Sequence, residues 1–417
     1  MEQQVKMEVW VGIDWGDQKH AVAIVCGDGE ALEGFWVADS PEGYARLSER
    51  LARYETVGGI ALEATRNMLV LYLKQAGYPL YLINPKMSKA WRDTDGVSGA
   101  KSDPRDGLTL ARGLAFRHKR LASVSHADPA MERLALLCEK ECAQIHKRTA
   151  LVQELKSTLK QYYPAALAFF NDWTSPAAWD FLKAYPSMRR LAEAKAHTLI
   201  AWLKAHRLGW TRNWEEKVKT RANAAAWPIH PHEDIYQLQV QAVVGQLKAL
   251  AATLKEFRVQ IEAAFRALPE AAVIVSLPGA GPKLAPRVAA IVGSPEAQHG
   301  GLEALRGHTG VAPVTKETGQ HRTVQIRRLC NKQWRNALHL FAWCSTRFSP
   351  WAHAFYQYHK KRGDTHSTAL RKLGDKWLGI IMRMIETGQP YDEAKHLKVL
   401  ERTHSPVWEY MQAQNGG

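Results

Sequence analysis

The chain has 417 residues, 46% of them hydrophobic, enough for two or three domains with buried cores. A net charge of +15 and a pI near 9.5 point to a polyanionic partner. No apolar run is long enough to span a bilayer and no secretory signal opens the chain, while Cys26, Cys138, Cys142, Cys330 and Cys344 lack the paired spacing of a zinc site or a disulfide framework, so a reducing cytoplasm is expected.

Residues 7–26 read as a β-hairpin. Val9, Val11 and Ile13 alternate, Gly16-Asp17 supplies the turn, and Ala21 to Val25 returns. Trp36-Val37 is a third strand. Pro41 to Tyr54 has helical spacing, with Tyr44, Leu47 and Leu51 on one side. Gly59 to Glu63 reads as a buried strand, Asn67 to Ala76 as a helix ended by Gly77, and Tyr81 to Pro85 as a short strand. A further helix opens at Asp103 and runs to Arg117; Asp17, Asp93 and Asp95 fit turns and loops.

That last helix carries the informative chemistry. Asp103 and Asp106 are three residues apart and share a helix face. Taken alone, Ser102-Asp103-Pro104-Arg105-Asp106 is better read as a helix start, with Asp103 as the cap, Pro104 at the first helical position and Asp106 at the third. Asp14 and Glu63 change that reading, because each ends an otherwise apolar strand, where a carboxylate is costly to bury without a cation. Four acids converging on one point repel one another unless a pair of divalent ions, Mg²⁺ or Mn²⁺, sits among them. Such a centre clamps a phosphodiester and activates the attacking oxygen.

The element order β-β-β-α-β-α-β-α is that of the RNase H/RuvC fold, an α/β fold in which acids on the first strand, the fourth strand and the last helix meet at one sheet edge. Gly12-Ile13-Asp14, Leu62-Glu63-Ala64-Thr65, Ile83-Asn84-Pro85 and Lys101-Ser102-Asp103-Pro104-Arg105-Asp106 resemble the D-E-D-D motifs of the insertion-sequence 110 family of transposases. Piv-type DNA invertases and bridge-RNA-guided recombinases are members of that family. The resemblance implies that Asp14, Glu63, Asp103 and Asp106 are a metal-binding tetrad.

Beyond Pro129 the chain changes character. Ile145, Val152, Leu155, Leu159 and Tyr162 form a seam within a charged helix. A Trp-rich, basic, helical insert follows between about Pro164 and Pro231, with Trp173, Trp179, Trp202, Trp210, Trp214 and Trp227. Each is read as core or interface, with stacking on unpaired bases as the alternative. His230, His232, Glu233 and Asp234 are read as a loop rather than a metal site. From Val240 to Leu268 the residues Val240, Val243, Leu247, Leu250, Leu254, Phe257, Ile261, Ala264 and Leu268 keep an a/d seam. It can pair with the 130–162 helix or with another subunit; the resemblance favours a coiled-coil insert used in oligomerisation.

The third region opens on Pro278-Gly279-Ala280-Gly281-Pro282-Lys283 between helical segments at Ala271–Leu277 and Pro282–Val292. This helix-hairpin-helix-like turn would let backbone amides near Gly279 and Gly281, with Lys283, approach a phosphate. Gly310 to Gln320, followed by Arg322, Arg327, Arg328, Lys332 and Arg335, resembles the family's C-terminal transposase domain, with its Ala-Pro, Ser-Gly and basic tail. By resemblance the nucleophile position falls on Thr318, where the family has serine. Threonine carries the same hydroxyl, but its extra methyl crowds an in-line approach. Ser276 and Ser345 are other hydroxyls nearby, but neither precedes the motif glycine. The segment from Ser349 to Glu393, with Tyr356, His366 and Arg371, also resembles the family.

The resulting expectation has four parts: a RuvC-like catalytic domain at 1–126, a helical coiled-coil region at 127–268, a mainly α C-terminal domain at 269–395, and a tail at 396–417. The protein is expected to be a DNA transposase and recombinase that uses magnesium or manganese. Its expected partners are DNA, a structured noncoding guide RNA and further copies of itself, as a dimer or tetramer, with no membrane partner and with bacterial, nucleoid-associated residence. The alternatives are a metal-dependent nuclease or junction resolvase that uses water, and a non-catalytic nucleic-acid-binding descendant.

Overall fold

The computed structural model describes residues 5–63, 67–95, 102–121, 123, 128–206, 214–319 and 321–415. Ala64, Thr65, Lys101 and Trp210 of the sequence reading, and the side chains of Trp214 and Arg322, lie outside the described residues. The chain forms two compact units, one from Met1–Ala135 with Ala267–Gly417, the other from Leu136–Arg266.

The first unit opens with a mixed five-stranded sheet in the order β3-β2-β1-β4-β5. Its strands are β1 (Val5–Asp14), β2 (Lys19–Cys26), β3 (Ala31–Ala38), β4 (Tyr54–Glu63) and β5 (Leu80–Ile83). β1 lies at the centre, antiparallel to β2 and parallel to β4. A central strand covered on both faces reads as a continuous apolar run, as Val9 to Ile13 does. Val9, Val11, Ile13, Ile60 and Leu62 face one core, which includes residues of α1 (Pro41–Leu51) and α2 (Met68–Gln75). Trp10, Ala61 and Ile83 face the other, with residues of α3 (Pro85–Asp95) and α4 (Asp103–Arg117). This is the RNase H-like arrangement expected from the element order.

Three local expectations are corrected. Asp93 and Asp95 belong to a helix, α3, rather than to a turn or loop. Asn84 and Pro85, read as a strand end, start it: the Asn84 side chain accepts from the Lys86 amide at 2.9 Å and Pro85 is the first helical residue. In α4 the cap is Ser102 and Asp103 is already helical. The amides of Arg105 and Asp106 reach the Ser102 carbonyl at 2.9 and 3.0 Å, so neither acid is the cap residue.

The second unit holds most of α5 (Pro129–Tyr162), then α6 (Pro176–Ala184), α7 (Met188–Glu193), α8 (Ala196–Ala205), α9 (Trp214–Ala224) and α10 (Glu233–Arg266). Gln239 donates to Glu154 at 2.6 Å, and Arg258 lies 3.6 Å from Glu141. One number rises as the other falls, so α5 and α10 pair antiparallel within the chain. Val152, Leu155, Leu159 and Tyr162 share a core with Val240, Val243 and Leu247, so the seam finds an intrachain partner. Trp173 and Trp179 are buried in that core, and Trp179 donates to the Trp173 carbonyl at 3.0 Å. Trp202 is half-buried against it, while Trp227 is exposed.

The C-terminal part of the first unit contains α11 (Ala271–Val275), α12 (Ala285–Val292), α13 (Pro295–Thr309), the hairpin β6 (Val314–Thr318) and β7 (His321–Gln325), then α14 (Lys332–Ser345), α15 (Pro350–Lys361), α16 (His366–Thr387), α17 (Glu393–Arg402) and α18 (Pro406–Asn415). Trp351, Trp377 and Phe341 are fully buried at its centre. Burial lowers the pKa of His339 and of His396, the latter packed on Trp351 at 4.6 Å. A histidine whose folded pKa lies below its unfolded value of about 6.5 binds fewer protons folded than unfolded. Its effect appears as pH falls through that unfolded value and is complete below the folded pKa. We therefore expect the urea midpoint to drop between about pH 7.5 and about pH 5.5, with part of that drop removed in the His339→Gln/His396→Gln double variant.

Candidate active site

Backbone packing places the acids. Asp14 ends β1 and Glu63 ends β4; Ile13 pairs with Leu62, so the two acids are next in register on neighbouring parallel strands. Side chains alternate along a strand, so Asp14 shares the α4 face with Trp10 and Gly12, and Glu63 shares it with Ala61. The helix comes very close there. A Cβ on Gly12 would stand 2.0 Å from the Gly107 carbonyl oxygen and 2.3 Å from the Ala111 nitrogen. One on Gly107 would meet the carbonyl of Ala21, the cross-strand partner of Asp14, at 3.0 Å. Gly107 directly follows Asp106, so the start of α4 is laid over the end of β1. Gly113 gives the ring of Trp91 similar access one helix further out, seating α3 on α4.

Asp106 is 4% exposed and Asp103 is exposed. Two residues that the sequence reading missed complete the site, and both come from α3. Ser88 donates to Glu63 Oε1 at 2.6 Å. Arg92 places Nε 2.7 Å from Asp106 Oδ1 and a terminal nitrogen 3.9 Å from Glu63 Oε1. The 2.7 Å contact lacks hydrogen-bond alignment, and among the described residues neither buried atom has a hydrogen-bond partner. The Asn-Pro helix start before Ser88 was the available signal for this helix.

The donor set fits a hard divalent cation. It is all carboxylate oxygen, and among the described residues one buried oxygen has charge but no aligned donor. No three of the four carboxylates lie within 4.8 Å of one another; among the described residues only Cys26, Asp28 and Glu30 do. That trio is a turn in which Cys26 donates to Asp28 at 2.6 Å, and the carboxylate pushes the thiol pKa up.

In the C-terminal part, Thr318 is exposed at the end of β6, paired with His321 at the start of β7. Gly319, which follows it, has φ 57°, in the left-handed region that favours glycine. The other two hydroxyls are structural. Ser345 is fully buried, accepts from Trp377 at 2.8 Å and donates to the Ala342 carbonyl. Ser276 donates to the Val273 carbonyl and accepts from the Tyr391 amide. Arg327 donates to the Ala312 carbonyl and Arg335 to the Arg327 carbonyl, each at 3.3 Å, so both brace the segment that follows the hairpin. Lys283, Arg328 and Lys332 are exposed. Gly279 has φ 81° and a Cβ there would press on the backbone of Cys344 and Ser345, whereas Gly281 faces open space.

A sheet of this order, with acids at two strand ends and two more at the start of the helix laid over them, defines an RNase H-like domain. Residues 11–164 match a family model described as a transposase, and residues 271–357 match one described as the transposase IS116/IS110/IS902 family. The chain is 30% identical over 404 residues to the mini-circle putative transposase for IS117 of Streptomyces coelicolor, covering 93% of this chain and 96% of that protein. It is 24% identical over 396 residues to the insertion element IS900 uncharacterized 42 kDa protein of Mycobacterium paratuberculosis, covering 93% and 98%. A 26% identity over 392 residues links it to the insertion element IS116 uncharacterized 44.8 kDa protein of Streptomyces clavuligerus, covering 90% and 94%. The chain belongs to the IS110 family of transposases, with a DEDD domain followed by the family's C-terminal domain. No helix among the described residues is long and apolar enough to cross a membrane.

Proposed function

We propose that this transposase cuts and rejoins DNA with two sets of groups. Asp14, Glu63, Asp103 and Asp106 would hold Mg²⁺ or Mn²⁺ in the domain spanning 1–126, and the Thr318 hydroxyl in the domain spanning 269–395 would attack the scissile phosphate. A bound divalent ion polarises the phosphodiester and stabilises charge on its oxygens. The observation that carries this reading is the close seating of Gly107 on Gly12, which brings the two-acid start of α4 to the strand ends that bear Asp14 and Glu63. Ser88 orients Glu63 through its 2.6 Å hydrogen bond. Attack by Thr318 forms an oxygen–phosphorus bond to the protein and expels the DNA hydroxyl, which leaves with a proton. Arg322, Arg328, Lys332 and Lys283, with the Gly281 backbone, would bind strand phosphates; Arg327 and Arg335 would do so while bracing the hairpin, and Gly279 would shape its turn.

Thr318 has the exposure that a nucleophile requires, in contrast to buried Ser345. Thr318→Ala should abolish a covalent protein–DNA product on denaturing gels, and Thr318→Ser should retain or increase it. Undiminished strand cutting by Thr318→Ala would instead assign the attack to water. We further read the polyanion partners as DNA and a structured noncoding RNA that guides target choice, and the working unit as a dimer or tetramer. The region at 127–268, built around the α5–α10 pair, would serve as the assembly element. Guided assembly is tested by sizing the protein with and without the transcript that flanks its gene.

A further inference from the structure

We infer that Arg92 is a built-in counter-ion of the acidic centre that competes with the divalent metal and is displaced when metal binds. The inference rests on the metal-binding reading of Asp14, Glu63, Asp103 and Asp106.

Asp14 and Glu63 at the strand ends and Asp106 at the start of the helix laid over them put like charges on one side of the sheet, and burial of Asp106 to 4% exposure weakens the screening that water would provide. Something must offset that charge before metal arrives. Arg92 is placed to do so: its guanidinium reaches Asp106 at 2.7 Å and Glu63 at 3.9 Å, bridging an acid of α4 to an acid of β4. The contact with Asp106 is electrostatic rather than a well-formed hydrogen bond, because among the described residues neither Arg92 Nε nor Asp106 Oδ1 has an aligned partner. An arginine built for permanent structure would be expected to make a bidentate, aligned pair. This one holds charge without locking geometry, and its side chain is 29% exposed, so it has a path outward. It stands on α3, whose Trp91 is anchored beneath Gly113 while the next residue carries the guanidinium to the acids. A metal ion and Arg92 therefore draw on the same oxygen of Asp106, and binding of one weakens binding of the other.

The test is Mn²⁺ binding to the full-length protein without nucleic acid, read by electron paramagnetic resonance and calorimetry, for wild type, Arg92→Gln, Arg92→Lys and Asp106→Asn. Removing the competing charge should tighten Mn²⁺ binding on the order of tenfold in Arg92→Gln. Arg92→Lys keeps the charge and should stay near wild type. The metal-free thermal midpoint of Arg92→Gln should fall, and Mn²⁺ should restore it by more than it raises wild type. Unchanged or weaker Mn²⁺ affinity in Arg92→Gln, with wild-type binding intact and lost in Asp106→Asn, would overturn the role of Arg92 alone. Failure of both wild type and Asp106→Asn to bind Mn²⁺ would remove the metal reading and this inference together. Thermal midpoints taken in the same series identify any variant that has failed to fold.

Discussion

Asp106→Asn should remove strand cleavage while leaving the fold in place. Asparagine keeps the shape of the side chain and removes the charge. Asp106 is the most buried of the four acids, and among the described residues its Oδ1 has no aligned hydrogen-bond partner. On the proposed reading that oxygen is a metal ligand, which Arg92 faces at 2.7 Å until metal displaces it. Losing one anionic ligand from a centre that polarises phosphate should cost several kcal/mol of barrier lowering, a rate loss on the order of a thousandfold. Asp14→Asn and Glu63→Gln should behave alike, because they occupy next-in-register ends of β1 and β4 on the same face. Cleavage of supercoiled and linear DNA in Mg²⁺, with circular dichroism as the check on folding, measures this. Wild-type cutting by both Asp106→Asn and Asp14→Asn would refute the site.

Gly12→Ala should disrupt the same centre by packing alone. The new methyl would stand 2.0 Å from one backbone atom of α4 and 2.3 Å from another, distances that no rotamer change can relieve. Either α4 lifts from the sheet or β1 bends away from it. Overpacking of this kind typically costs about 1–3 kcal/mol, and rigid backbone on both sides puts Gly12 at the upper end. A shift of the denaturation midpoint reports the stability loss. Because the helix that must move carries Asp103 and Asp106, cleavage should fall further than the loss of folded protein accounts for. Gly34→Ala is the control: its added methyl would meet only the Val22 carbonyl, at 3.9 Å, and should change little.

Much of this protein is legible in one dimension. The apolar runs ending in Asp14 and Glu63, the paired acids of Asp103 and Asp106, and the order of strands and helices identify the N-terminal fold and its candidate ligands. A strand written in β-branched and apolar residues announces itself locally, and an acid at its end conflicts visibly with that background. The heptad seam of α10 is equally plain, since its buried positions, Val240, Val243, Leu247, Leu254, Ile261 and Phe265, recur at intervals of three, four and seven residues. Helix α3 is hidden in the sequence because its start, Asn84-Pro85, also suits the end of a strand.

What only tertiary structure decided is partnership. A seam states that a helix has a buried face but not what covers it; the ties from Gln239 to Glu154 and from Arg258 to Glu141 show that α5 does. Gly12 looks like a defect in a strand until the Gly107 carbonyl is found where its side chain would be. Ser345 and Thr318 are both hydroxyl residues in sequence, and only folding buries one against Trp377 and leaves the other exposed at the end of β6. Arg92 is one of many basic residues until α3 delivers it to Glu63 and Asp106. The physical reason is common to all four: local pattern reports the preference of a backbone segment, whereas charge pairing and close packing depend on distances between segments far apart in the chain.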